Sequence, residues 1–166
     1  MTTSPAAAAD GSRELLRHAL ATLAYRGAKA VRGAPDEFAM FRVGDRSRTP
    51  AAIVAHIGDL LEWALSSARG QEVWNRAKPL PWPQEVERFF GALAALDDYL
   101  ASGAPLETNA ERLFQGPVAD ALTHVGQLTM LRRLAGAPVR GENYVQADIR
   151  AGRVGSAQTA PGYEFD

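Results

Sequence analysis

Two residues in the segment Ala119–Leu128 have the types and the spacing of a metal-chelating pair. Asp120 and His124 lie four residues apart where the apolar residues follow a helical period, so both side chains can project from one face of neighbouring turns. The chain has three histidines and no cysteine, so a metal would need nitrogen and oxygen ligands, including one from another segment. His56, in a second strongly periodic segment, is the candidate for that third ligand.

Each of these three residues also has a purely structural explanation. Asp120 follows Pro117 closely, and an acidic residue in the first turn of a helix gains about 0.3–1 kcal/mol from the helix dipole. His56 and His124 fall at the margins of apolar stripes, where a histidine can simply pack at a seam between helices. If the two helices are neighbours, however, those margins face each other, and two imidazoles and one carboxylate converge. Such a set leaves coordination positions open for water or substrate, which is typical of catalytic metal sites.

Two further residues are candidates for orienting the histidine rings by hydrogen bonding. Gln127 lies one turn after His124, and Asp59 lies one turn after His56, so each can reach the neighbouring ring. A plain surface role explains both residues as well. The third histidine, His18, falls on the polar side of the first helix, and we expect it to be solvated.

Four amphipathic segments must position these residues, and together they predict an all-α four-helix bundle. The second segment opens with Thr49–Pro50, an N-cap hydroxyl followed by a proline at the first helical position. The dipeptide Gly116–Pro117 predicts a break in the backbone immediately before the fourth helix, because the residue before a proline avoids the helical region. The predicted helices run from Arg13 to about Val31, from Pro50 to about Arg69, through the apolar stripe Val86–Leu100, and from Pro117 to about Ala135.

Long loops and an irregular tail complete the predicted organisation, which is a flexible lead over residues 1–12, the bundle over 13–136 and a C-terminal extension over 137–166. The extension loses periodicity, and we expect it to pack on the bundle and to fray at its end. A short helical turn is predicted over 107–115. The spacing of several side chains predicts whether they are buried. We expect Leu15 in the buried stripe of the first helix, and Phe38, Met40 and Phe41 folded back on the core. The polar face of the third helix is predicted to carry Glu85, Arg88, Asp97 and Asp98.

Composition limits the classes of function. A chain of 166 residues with 46% hydrophobic and 22% charged residues suits one globular domain. The 18 Lys and Arg nearly cancel the 19 Asp and Glu, and no basic block is present, so nucleic-acid binding has no support. No stretch approaches the roughly 20 uninterrupted apolar residues of a membrane span. We therefore expect a cytoplasmic protein that acts on a small molecule and not on nucleic acid or membrane.

With these residues in place, the chain resembles the DinB-like superfamily of four-helix bundles, also called YfiT-like metalloenzymes, over roughly residues 13–136. Members carry a histidine in the second long helix, matched here by the stretch from Thr49 to His56. They also carry a His-x-x-x-His pair in the last helix that often runs into Gly-Gln, matched here by the stretch from Asp120 to Gln127. Asp120 departs from this pattern, because it stands at the position of the first histidine of the pair.

The resemblance implies a DinB-type bundle, often homodimeric, that holds a divalent metal near one end. With Asp120 as a ligand, the donor set suits zinc, nickel, iron or manganese. The function expected from the resemblance is metal-activated water or thiol chemistry, as in a hydrolase or a small-thiol S-transferase, and a cysteine-free chain would need a small-molecule thiol as cosubstrate. The alternative is a non-catalytic helical bundle that binds a metal or a ligand, with Asp120 marking a decayed site.

Overall fold

The computed structural model describes residues 5–165, with side chains from Gly11 onward, and its fold is all-α, as predicted. The short elements are a 3-10 helix at Asp36–Met40, a π-helical turn at Phe114–Val118, and an antiparallel ribbon in which Glu142 lies opposite Glu164. The helices are α1 (Pro5–Val31), α2 (Pro50–Ala68), α3 (Trp82–Ala101), α4 (Ala110–Leu113) and α5 (Ala119–Leu134), and the ribbon strands are β1 (Gly141–Glu142) and β2 (Glu164–Phe165). Helix α5 is the fourth helix that the sequence predicts.

The four long helices surround one hydrophobic core. Helix α1 packs against α3 and α5, and helix α2 packs against the same two helices, so α1 and α2 occupy opposite corners of the arrangement. Within residues 5–165, no helix is long and apolar enough to cross a membrane. The largest fully buried apolar side chains in the core are Phe38, Phe89, Leu20, Leu23, Ile57, Leu61, Leu93, Leu96 and Leu128.

The ends of the helices agree with the capping signals better than with the hydrophobic period. Helix α2 begins at Pro50, and the Thr49 hydroxyl accepts a hydrogen bond from the backbone N–H of Ala52 at 3.2 Å, as an N-cap should. Helix α1 begins at Pro5 instead of Arg13, because the alanines that precede Arg13 have the highest helix propensity but form no amphipathic stripe. Residues 1–4 of the predicted flexible lead lie outside the described residues.

Two acidic side chains that the sequence places on the polar face of the third helix are buried. Glu85 is fully buried and accepts a hydrogen bond from the backbone N–H of Leu80 at 2.8 Å. Asp97 is 3% exposed and accepts hydrogen bonds from the guanidinium of Arg17, the shorter at 3.0 Å. A buried carboxylate is tolerated when hydrogen bonds or charges compensate it. Arg17 supplies both for Asp97, whereas Glu85 has the N–H of Leu80 on one oxygen and the guanidinium of Arg88, 3.7 Å away, beside the other.

Two apolar residues assigned to the core are exposed instead. Leu15 on α1 and Met40 at the end of the 3-10 helix are each 69% exposed, whereas Phe38 is buried as expected. The 3-10 helix turns Phe38 toward Trp82, with their rings edge to face at 5.9 Å, and this leaves Met40 on the outer side. Leu15 and Met40 therefore contribute little to the core.

The predicted break at Gly116–Pro117 is wrong, because the chain remains helical from α4 to α5. Val118 has helical dihedrals, φ −73° and ψ −46°, and Pro117 lies inside the π-helical turn. In a regular α-helix the proline ring would clash with the carbonyl of Leu113, and the wider turn relieves that clash. Asp120 therefore does not lie at a free helix start, and the helix dipole no longer accounts for it.

The C-terminal extension packs against α1. The buried carboxylate of Glu142 accepts hydrogen bonds from the Tyr25 hydroxyl at 2.6 Å and from Lys29 Nζ at 2.8 Å. The guanidinium of Arg26 stacks over the Tyr144 ring at 4.0 Å. These contacts place Glu142 and Tyr144 on α1 and away from His56.

A single buried arginine joins the ends of α1 and α5. Arg132 is 5% exposed and donates hydrogen bonds to the carbonyls of Ala30, Arg32 and Gly33 at the end of α1 at 3.2–3.4 Å. Its Nε also donates to the carbonyl of Ala137 at 2.7 Å. The sequence predicts Arg132 only as a favourable charge at the end of its own helix. In the structure, its guanidinium also caps the C-terminal end of α1.

The contact between α1 and α3 depends on the absence of a side chain at Gly27. A Cβ atom there would lie 2.6 Å from Cζ of Phe89, whereas a Cβ at Gly91 would meet nothing within 4 Å. We expect Gly27→Ala to lower the free energy of unfolding by about 1–2 kcal/mol, because an overpacking cost of about 1–3 kcal/mol exceeds the gain in helix propensity. Gly91→Ala should instead raise it by about 0.5–1 kcal/mol. Urea unfolding measures both, and equal stabilisation by the two variants would contradict this packing.

Candidate metal centre

Helices α2 and α5 run antiparallel and bring their histidines together. Trp63, late in α2, faces the π-helical turn at Gly116, with Trp63 Cζ3 3.9 Å from a Cβ placed on the glycine. Ile53, early in α2, lines the same cleft as Leu131 near the end of α5. His56 on α2 therefore lies opposite the N-terminal half of α5.

His56, Asp120 and His124 form a group that could hold a metal ion, since their ligand atoms all lie within 4.8 Å of one another. His56 Nε2 is 3.6 Å from one carboxylate oxygen of Asp120, and His124 Nε2 is 3.5 Å from the other. The two imidazole rings meet edge to face, with centroids 4.8 Å apart. These three side chains are the candidate ligands that the sequence predicts, and helices α2 and α5 supply them.

The three side chains are close enough to share a small cation after a modest adjustment. Ligand atoms around a tetrahedral ion with bonds of about 2.0–2.2 Å lie about 3.3–3.6 Å apart. The distances from His56 and His124 to Asp120, 3.6 and 3.5 Å, join each ring to a different carboxylate oxygen and exceed the about 2.7–3.2 Å of an N–H···O hydrogen bond. One ligand atom from each residue gives separations of up to 4.8 Å, so a bound ion would draw the three groups together. Two imidazole nitrogens and one carboxylate are also a donor set that zinc and other first-row divalent metals accept.

Gln127 sets the direction in which His124 presents its ring. The side-chain Oε1 of Gln127 lies 2.9 Å from His124 Nδ1. An amide oxygen can only accept, so Nδ1 carries the proton and donates to it. In the neutral ring, Nε2 is then the nitrogen that carries the lone pair, and it lies on the side of Asp120. This is the contact that the spacing of Gln127 suggests, and it is the usual way in which a protein orients a histidine ligand.

Asp59 does not take up the predicted hydrogen bond to His56. Its buried carboxylate accepts from Arg88 Nη2 at 2.6 Å and faces the backbone N–H of Ala77 at 3.3 Å. Arg88 also binds Glu62 at 2.9 Å. Asp59 therefore anchors α3 and the loop before it, because a guanidinium offers a buried carboxylate stronger hydrogen bonds than an imidazole does.

The surroundings of His56 favour the neutral form of its ring. Burial lowers the pKa of His56, and the nearby His124 and Arg48 lower it further, against the opposing charges of Asp120 and Asp59. A neutral ring retains a lone pair on one nitrogen, which is the form that binds a metal. The edge of the His56 ring also meets Trp74, with centroids 5.9 Å apart.

An open cleft of about 590 Å³ gives access to the three side chains. Asp120, whose side chain is 46% exposed, lies at its surface, while His124 is the most buried of the three at 10%. Beyond these side chains the cleft has a polar edge and an apolar wall. The cleft is lined by Ser47, Arg48, Ile53, His56, Asp120, His124, Gln127, Met130 and Leu131.

Two residues of the site, Trp74 and Arg48, lie in loops where hydrophobic periodicity carries no information. Trp74 belongs to the loop 71–81, which several side chains fasten to the helices. Trp63 Nε1 donates to Glu72 at 3.1 Å, and the Ser66 hydroxyl accepts from the backbone N–H of Val73 at 3.1 Å. The sequence signal that could indicate such a contact is a large aromatic residue in a polar loop, because its side chain gains from packing against the fold.

Fold and site together define an all-α protein with a candidate metal centre of two histidines and one aspartate between two of its helices. A scan against protein-family models, a search of curated proteins and a search of solved structures found no match to this chain. The geometry of the centre therefore carries the functional interpretation.

Removing the amide that orients His124 should weaken metal binding without removing a ligand. We expect Gln127→Ala to lower the affinity for zinc by about 10-fold or more, because partners of metal ligands are typically worth 10–100-fold. Gln127→Glu keeps an acceptor for His124 Nδ1–H and should retain most of the affinity. Calorimetric titration with zinc measures both variants, and an unchanged affinity for Gln127→Ala would show that the amide plays no part.

Proposed function

We propose that the protein is a divalent-metal-dependent enzyme, with His56, Asp120 and His124 as the metal ligands. The observation that carries the proposal is the convergence of three ligand atoms within 4.8 Å of one another in the lining of an open cleft. Zinc, nickel, iron and manganese are the candidate ions. We further propose that the helices form a DinB-type bundle, that the protein acts as a homodimer, and that its substrate is a small molecule.

The residues of the site support this chemistry in distinct ways. His56 and the Gln127-oriented His124 each direct a ring nitrogen toward Asp120, and Asp120 offers one carboxylate oxygen toward each ring. A divalent cation held by these groups supplies Lewis-acid activation, which lowers the pKa of a water or a thiol. The three protein ligands leave room for such a molecule on the cleft side, where Asp120 is partly exposed.

The nucleophile of the proposed reaction cannot be a thiolate of the chain itself. No cysteine is present, so the two candidates are a water molecule, which makes the protein a hydrolase, and a small-molecule thiol, which makes it an S-transferase. Both require an opening to solvent beside the ligands, and the cleft provides one.

Metal content tests the first part of the proposal. Protein purified without an affinity tag should contain close to one divalent ion per chain by elemental analysis, or should bind one on titration with zinc, nickel, manganese or iron(II). Absence of binding to every one of these ions, in protein that is folded by circular dichroism, would overturn the proposal. The remaining alternative would then be a non-catalytic helical bundle.

Activity of the metal-loaded protein tests the second part. Turnover of an activated ester without added thiol would support hydrolysis. Turnover of 1-chloro-2,4-dinitrobenzene only with an added small thiol would support transfer. His124→Ala serves as the control in both assays, since it keeps the cleft but lacks a ligand. A protein that binds its ion and turns over neither class of probe would be a metal-binding bundle without this chemistry.

A further inference from the structure

We propose that the cleft beside the candidate metal centre binds small carboxylates, with Arg48 as the residue that recognises the carboxylate group. This inference rests on the proposed function, which places a cation beside Arg48. It adds to that function the class of ligand that the cleft binds. Arg48 lines the cleft together with His56 and Asp120. Nothing in the proposed reaction requires an arginine there.

The backbone on both sides of Arg48 is held in place. The Ser47 hydroxyl accepts hydrogen bonds from the N–H groups of Val43 and Gly44 and donates to the Gly44 carbonyl at 2.7 Å. Thr49 is the N-cap of α2. Arg48 thus projects from a closed turn joined directly to the helix that carries His56, so its position relative to the ligands is defined although its side chain is exposed.

The charge balance of the cleft favours an anion. Asp120 is the one acidic residue among the described side chains that line it, and its single negative charge does not neutralise a divalent cation. Arg48 adds a positive charge and forms no ion pair or hydrogen bond with another residue of the chain between 11 and 165. A free guanidinium has the planar fork that pairs with both oxygens of a carboxylate.

The cleft also has an exposed apolar side chain. Met130 is 54% exposed, whereas Ile53 and Leu131, which line the same cleft, are only 2% and 8% exposed. An inorganic anion would leave Met130 in water, whereas a carboxylate with a hydrocarbon body would cover it. The cleft therefore suits a monocarboxylate of a few carbons, with its charged group near Arg48 and its chain along Met130.

Calorimetric titration of zinc-loaded protein with hexanoate tests the inference, and hexanamide serves as the neutral probe of the same shape. We expect hexanoate to bind the wild type, to bind at least about 10-fold more weakly to Arg48→Gln, and to bind more tightly than acetate, which lacks the chain. Arg46→Gln is the matched control, because Arg46 is exposed on the same loop and lies outside the cleft. Hexanamide should bind weakly to all three proteins.

Several outcomes would overturn the inference. Equal hexanoate affinity in the wild type and Arg48→Gln, equal loss in Arg46→Gln, or equal binding of hexanoate and hexanamide would each show that Arg48 does not recognise a carboxylate. Zinc content is measured in the same samples, so failure of metal binding is seen separately. In that case, hexanoate is titrated into metal-free protein. A weaker hexanoate affinity in Arg48→Gln than in the wild type would support the inference, and equal affinities would overturn it.

Discussion

Asp120→Ala is expected to weaken divalent-metal binding by more than about 100-fold, a larger effect than the 10–100-fold that partners of metal ligands contribute. The substitution removes the only anionic ligand, whose two oxygens face His56 and His124 at 3.6 and 3.5 Å. Calorimetric titration with zinc measures the loss. Asp98→Ala is the control, because it removes the same charge from an exposed position on α3.

Asp120→His tests whether Asp120 acts as a metal ligand or only supplies a negative charge. An imidazole at this position supplies a nitrogen ligand to the same ion, so the variant should bind zinc far more tightly than Asp120→Ala does. Wild-type affinity in Asp120→Ala would instead mean that Asp120 is not a ligand. The remaining explanation for this residue would then have to be found outside the helix dipole, because the helical backbone continues on its N-terminal side.

Glu142→Ala is expected to destabilise the protein by about 3 kcal/mol. Loss of one partner from a buried ion pair typically costs about 3–5 kcal/mol, because the other charge stays buried. Lys29 keeps a contact with Glu164 at 2.8 Å, so the lower end of that range applies. The Tyr25 hydroxyl also loses its acceptor. Urea unfolding monitored by circular dichroism measures the change.

Two further variants make the interpretation specific. Asp148→Ala removes an ion-paired carboxylate from the surface of the same extension and should destabilise the protein far less than Glu142→Ala does, because solvent screens an exposed ion pair. The double variant Lys29→Met and Glu142→Gln should lose less stability than the sum of the two single changes, since no buried charge remains unpaired. Additive losses would contradict a direct interaction between Lys29 and Glu142.

This interaction should persist throughout the neutral range of pH. Burial lowers the pKa of Lys29, but the hydrogen bonds that Lys29 donates to Glu142 and Glu164 outweigh that effect and raise the pKa above the ordinary value of 10.5. A base with a raised pKa in the folded state contributes stability that is complete below its unfolded pKa. The contribution of Lys29 is therefore lost only as the pH rises through its folded pKa, in alkaline solution.

The sequence predicts the helices well because their signals are local. The apolar stripe and the Thr49–Pro50 cap define α2 from neighbouring residues alone. The pairing of His56 with Asp120 and His124 required one further assumption, that the two helices are neighbours, and the structure brings these three side chains together. The binding of a metal there, the reaction and the relation to the DinB-like bundles remain predictions.

Two of the predictions that failed did so because the partner is distant in the sequence. Asp97 is buried because Arg17, 80 positions away, binds it, and Asp59 binds Arg88, 29 positions away, instead of its own neighbour His56. No window of sequence contains both members of such a pair. The sequence does not identify Arg48 as a residue of the site for a related reason. Only the fold shows which of the loop arginines lies beside the histidines.

The π-helical turn at Phe114–Val118 has a consequence for comparing this chain with others. A turn of this kind arises when one residue is inserted into an α-helix, and it shifts the side chains on its N-terminal side by about 100° relative to those that follow. A relative without the proline should be one residue shorter at this point. An alignment with such a relative therefore needs a gap between the segment that holds Leu113 and the one that holds Asp120, and an ungapped alignment would misplace one of them.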